Sequence, residues 1–97
     1  MAKGYWVSCY RAVHDHDKLA AYAKLAPAAV EAHGGKFVVR AIAAAAYEQG
    51  VAGRTVVVEF DSVATATKAR ESSEYKAALD ALGDGVERDF RVVEGAA

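Results

Sequence analysis

Arg54–Ser62, RTVVVEFDS, is the stretch from which the fold is read. Val56, Val57, Val58 and Phe60 are β-branched or aromatic, with Gly53 before them and Asp61-Ser62 after. Such a run predicts a strand buried on both faces. Glu59 is the anomaly in it, because a carboxylate in that setting is costly unless a partner stands beside it.

Upstream, Lys36–Ile42 reads as a neighbouring strand, with Phe37, Val39 and Ala41 on one face and Val38, Arg40 and Ile42 on the other. Ala43–Ala46 continues it, and a loop through Gln49–Gly53 leads back into the central strand. Gly34-Gly35 ends a preceding helix, Lys18–His33, whose stripe is Leu19, Tyr22, Ala26, Val30 and, at its margin, His33. Pro27 inside it lacks an N–H and is expected to bend or split it. His14–Asp17 forms a polar connector in which Asp15 or Asp17 caps the helix. Gly4–Arg11 is the first strand: Tyr5, Val7 and Cys9 alternate with Trp6, Ser8 and Tyr10, and the second, more polar set is assigned to the partly wet face.

Downstream, Asp61 or Ser62 starts a helical region, Val63–Arg70, and Ser72-Ser73 offers a fresh cap. Tyr75, Ala78, Leu79 and Leu82 share one face of the continuing helix, which stops at Gly83 or Gly85. Asp89–Glu94 is the last strand and Gly95-Ala96-Ala97 a loose end. The order is βαββαβ, an α+β ferredoxin-like domain over residues 1–97 with an antiparallel sheet and both helices on one face. The opposite face, assigned Trp6, Val38, Val57 and Val93, then needs a cover, and a second copy supplies it.

Composition points the same way. A 97-residue chain buries only roughly 60–65% of its extended surface, so pairing into a homodimer relieves a thin stability margin. The net charge is −1, from 12 basic and 13 acidic residues spread along the whole chain, which argues against nucleic acid and anionic membranes as partners. No segment reaches the ~18 consecutive apolar residues of a membrane span, and no apolar leader follows Met1, so a cytoplasmic protein is expected. Cys9 is the only cysteine, which rules out an intrachain disulfide.

The candidate chemistry centres on Arg40 and Glu59. A loop centred between Gln49 and Gly50 sets them opposite each other on the face away from the helices. A one-residue slip would turn one of them inward. As a pair they serve either as a structural ion pair that fixes register, or as a pocket in which Arg40 holds an anionic or carbonyl oxygen and Glu59 accepts a proton. Trp6 and Tyr10 are placed beside them, to fill the dimer interface or stack on a planar ligand. His33 either favours the helix C-terminus or acts as a base. His14-x-His16 on a flexible loop is a poor metal site, Cys9 reads as core, and no phosphate loop or Ser-His-Asp arrangement is present.

Gly4-Tyr5-Trp6, Tyr22 with Pro27, His33-Gly34-Gly35-Lys36-Phe37, Arg40, Glu48, Arg54, Val57–Ser62, Ser73-Glu74-Tyr75 and Val93-Glu94-Gly95 recur in an order that resembles the bacterial family known as domain of unknown function 1330. The resemblance covers nearly the whole chain. It implies a dimeric α+β barrel, an architecture whose members include cofactor-free monooxygenases, haem-degrading enzymes and lactone isomerases, so that fold alone selects no chemistry. This chain departs from the pattern at Glu48-Gln49, where the family has Glu-Gly, and near Gly83, where it often carries an arginine.

The expectation is a homodimer that binds or converts a small anionic or aromatic metabolite without a cofactor, at Arg40, Glu59, His33, Tyr10 and Trp6. The alternative is a non-catalytic dimeric module with a buried Arg–Glu pair; haem or metal use is the weakest reading.

Overall fold

The computed structural model describes residues 2–96. Met1 and Ala97, the latter the tip of the expected loose end, lie outside them. The elements are β1 (Gly4–Val13), α1 (His16–Ala32), β2 (Lys36–Ile42), β3 (Arg54–Phe60), α2 (Val63–Arg70), α3 (Ser73–Leu82) and β4 (Val86–Glu94). The strands form one antiparallel sheet in the order β2-β3-β1-β4, the ferredoxin-like arrangement, with the helices against one face. The second helical region is two helices rather than one.

Local chemistry sets the boundaries. Asp15 Oδ1 accepts the N–H groups of Asp17 and Lys18 at 3.0 and 3.1 Å and starts α1. Ser62 and Ser72 do the same for α2 and α3 through Thr65 and Tyr75. Each satisfies N–H groups that a first helical turn leaves orphaned. Gly83 ends α3 at φ 51° and ψ −126°, a region that disfavours side chains. An arginine at Gly83 itself, near which the resembled pattern often carries one, would therefore need a different turn. Gly4 is obligatory for another reason: a Cβ there would lie 2.4 Å from the Ser62 carbonyl oxygen.

The core lies between sheet and helices. Trp6, Val30, Val58, Phe60, Ala66 and Tyr75 are all buried. The Trp6 ring sits 4.8–5.3 Å from the rings of Tyr75, Phe60 and Phe90, and its Nε1–H donates to the Ala66 carbonyl at 2.8 Å. The helix α2 packs on β1, β3 and β4, whereas α1 packs chiefly on α3. That standoff leaves room between α1 and the sheet.

Three sequence expectations are corrected here. In β1 the two faces are exchanged: Trp6, Ser8 and Tyr10 point at the helices, while Cys9 is exposed. The large aromatic rings belong inside because each polar tip finds a partner there, as Trp6 does at Ala66. In β2 the pairing with β3 shifts between Phe37 and Val39, so Lys36 stands opposite Glu59 and Arg40 opposite Val56. A bulge inserts one residue and turns the rest of the strand over. Finally, α1 runs through Pro27 without being split.

Gly95 is not loose either, since its N–H donates to the Lys3 carbonyl at 2.7 Å. Among the described residues, no helix is long and apolar enough to cross a membrane.

Candidate functional site

The bulge in β2 puts Arg40 on the helix side of the sheet, and the site is built around that consequence. Cross-strand pairing places Arg40, Val56, Ser8 and Phe90 in one row across the sheet, all facing α1. The next row holds Arg54, Tyr10 and Arg88, with Arg88 directly opposite Tyr10. Above these rows, beneath α1, lies a cavity of about 260 Å³. Trp6, Phe37, Val58 and Val30 form its apolar inner wall, and His16 and Arg40 stand at its exposed rim.

Three guanidinium groups line this one cavity and, among the described residues, no carboxylate does. Among the described residues, neither Arg40, Arg54 nor Arg88 forms an ion pair with an acidic side chain. Their positive charge is met instead by ring faces. Arg40 Cζ lies 4.4 Å from the Phe37 centroid, Arg54 Cζ 5.9 Å from Tyr10, and Arg88 Cζ 5.0–5.7 Å from Phe90, Tyr22 and Tyr10. Such contacts partly offset desolvation of a cation but do not neutralise it.

Arg88 also has hydrogen-bond work. Its two Nη atoms donate to the hydroxyls of Tyr10, Tyr22 and Tyr75 at 3.4, 3.3 and 3.2 Å. The Tyr22 and Tyr75 hydroxyls are hydrogen-bonded to each other. Burial pushes the Tyr22 phenol well above its ordinary pKa, although Arg88 pulls the other way. Tyr22 therefore stays protonated and acts as a neutral hydrogen-bonding group on the wall. Two polar atoms at the site have no partner among the described residues: Ser8 Oγ on the floor and Arg54 Nε.

The structure separates the residues that the sequence singled out. Arg40, Tyr10 and Trp6 line the cavity. Glu59 does not: it lies on the opposite sheet face, where Tyr5 Oη donates to it at 2.9 Å and Lys3 Nζ stands 3.7 Å away. The expected Arg40–Glu59 pair is thus replaced by a Tyr5–Glu59–Lys3 group. His33 is also elsewhere, at the end of α1, with its Nε2 3.0 Å from Glu74 of α3. That hydrogen bond holds the Glu74 carboxyl below the usual range.

Sequence reasoning missed Arg88, Arg54 and Ser8 as site residues. The expected last strand starts at Asp89, whereas β4 starts at Val86 and so includes Arg88. The alternation Val86-Glu87-Arg88 directly after Gly85 was the available signal.

The family described as "Domain of unknown function (DUF1330)" matches residues 3–96. No curated protein matches the chain. Among solved structures, a protein of unknown function from Rhodopseudomonas palustris is similar with a TM-score of 0.71 at 18% identity, over 96% of this chain and 80% of that one. SnoaB, a cofactor-independent oxygenase from Streptomyces nogalater, is similar with a TM-score of 0.66 at 13% identity, over 100% and 96%. A conserved protein from Methanosarcina mazei Go1 follows at 0.60 and 12%, over 99% and 95%. Likeness at these identities establishes the shared fold.

Proposed function

The chain belongs to the family Domain of unknown function (DUF1330), and from that premise we propose that it binds, or converts without a cofactor, a small anionic or aromatic metabolite in the cavity beneath α1. The carrying observation is the charge imbalance there: among the described residues, three arginines and no carboxylate surround about 260 Å³. Uncompensated charge in a partly desolvated cleft is costly, and an anion entering it recovers that cost through charge-assisted hydrogen bonds. The volume falls just short of the roughly 300–1,000 Å³ typical of drug-sized ligands, so the occupant is small. A cofactor-independent oxygenase with this fold supports conversion without a cofactor as the enzymatic form of the reading. The alternative of a purely structural module drew on an Arg40–Glu59 pair, and the register keeps those residues on opposite faces.

Thermal-shift measurements with small aromatic carboxylates test this. At a hundredfold excess over Kd, binding stabilises by about 2.7 kcal/mol, which for a domain of this size raises Tm by about 10–20 °C. The wild type is expected to respond to at least one such compound, and Arg40→Ala to respond less. A wild-type Tm indifferent to every organic anion would sink the proposal.

The same reading has a single domain acting as a cytoplasmic homodimer, joined through the sheet face away from the helices. Val39, Val57 and Val93 share that face with Val7, and Val39 and Val93 are 44% and 43% exposed in the lone chain. An apolar patch on a small domain calls for a cover. The exposed thiol of Cys9 on this face suits a reducing compartment. Sedimentation at micromolar concentration is expected to give the dimer mass for the wild type and the monomer mass for Val57→Glu. A monomeric wild type would remove this part of the proposal.

A further inference from the structure

Building on the anion-binding cavity proposed above, we infer that the occupant is an aromatic carboxylate carrying a second, uncharged oxygen, with Ser8 Oγ as the group that reads that oxygen. Ser8 is 2% exposed, faces the cavity, and its hydroxyl has no partner among the described residues. Buried hydroxyls are nearly always hydrogen-bonded, so a lone one aimed into a cleft marks a position meant for a ligand atom.

Its surroundings explain the rest of the ligand. Ser8 is the one short side chain between Trp6 and Tyr10 along β1, and between Val56 and Phe90 across the sheet. The gap it leaves is walled by rings and branched carbons, which accommodates a flat apolar body rather than a chain of polar groups. Charge lies to the side: Arg54 and Arg88 flank Tyr10 in the next row, and Arg40 stands across Val56 from Ser8.

Arg88 is engaged by three phenols, whereas Arg54 has a buried Nε without a protein partner. A carboxylate therefore goes to Arg54 and Arg40. A serine hydroxyl both donates and accepts, so a ligand hydroxyl or carbonyl at the floor is satisfied in either sense. A second carboxylate there would meet only one neutral donor among apolar walls and is disfavoured.

Calorimetric titration with benzoate and its 2-, 3- and 4-hydroxy derivatives tests this, using the wild type and Ser8→Ala. At least one hydroxy isomer is expected to bind the wild type about fivefold to tenfold more tightly than benzoate, the range of a single buried hydrogen bond. Ser8→Ala is expected to lose that gain while benzoate binds it within about twofold of the wild type. Because the variant deletes a hydroxyl that has no protein partner, its Tm stays level or rises.

If every isomer equals benzoate, or the gain survives in Ser8→Ala, the inference about the second oxygen is overturned while anion binding stands. If none of the four compounds binds, the cavity is no aromatic-carboxylate site and this inference is overturned, whereas the broader anion reading falls only if the thermal-shift measurements also show no response to any organic anion.

Discussion

Trp6→Ala is expected to remove about 3–5 kcal/mol of folding stability, the range for truncating a large buried aromatic. A domain of 97 residues holds roughly 5–15 kcal/mol in total, so this loss leaves a large unfolded fraction at physiological temperature. The residue is 3% exposed and in contact with the rings of Phe60, Tyr75 and Phe90, which come from β3, α3 and β4. It also satisfies the Ala66 carbonyl of α2, the helix that seals the sheet. Truncation would open a void among three rings and remove the indole's hydrogen bond to that carbonyl.

Trp6→Phe separates the two effects, because it keeps a ring and loses only the hydrogen bond and some volume; about 1–3 kcal/mol is expected. Urea denaturation at several protein concentrations is the measurement. A Trp6 facing the uncovered side of the sheet, as its alternation with Tyr5 and Val7 first suggests, would instead weaken dimerisation and leave unfolding of the single chain almost untouched. A loss below about 1 kcal/mol for Trp6→Ala would show that the indole is not the centre of the core.

That contrast marks where the sequence stops being informative. The order of elements and the strand and helix caps were legible because Asp15, Ser62, Ser72 and Gly34-Gly35 punctuate the chain with side-chain chemistry that acts over three or four residues. The facing of Glu59 was legible too, since Val56, Val58 and Phe60 alternate with it.

The facing of β1 was not, because its more polar set, Trp6, Ser8 and Tyr10, is the one that faces inward. Size and the need of each ring for a polar partner decided it, and those partners are far away in sequence. The bulge at Phe37/Val39 left no trace either: Phe37-Val38-Val39 is apolar at every position, so period-two alternation cannot register an inserted residue. That slip moved Arg40 from an expected ion pair with Glu59 into the cavity. The residue was singled out for its charge, but its neighbours were misassigned.

The second large effect concerns the division of labour among the arginines. Arg54→Met is expected to weaken binding of an aromatic carboxylate by about tenfold to a hundredfold, the range for a hydrogen bond to a charged group, while folding stability stays level or rises. The stability half follows from the absence of a counter-ion: near Arg40 and Arg88, the Arg54 charge meets repulsion and desolvation in the unliganded protein. Methionine keeps an apolar stem of similar length and removes that cost.

Arg88→Met should behave in the opposite way. Three phenols lose their common donor, and the Tyr75 hydroxyl, on a side chain that is fully buried, keeps only its bond to Tyr22. A drop of about 1–3 kcal/mol in stability is expected there, the cost of leaving a buried polar group short of partners. Arg88→Lys retains the charge but replaces the planar fork by a point donor, and it should recover little of the lost stability or of the order among the tyrosines.

Urea melts and calorimetric titrations on the three variants separate these roles. If Arg54→Met destabilises the fold as much as Arg88→Met does, the cavity arginines are structural equals, and the excess positive charge has no ligand to explain it.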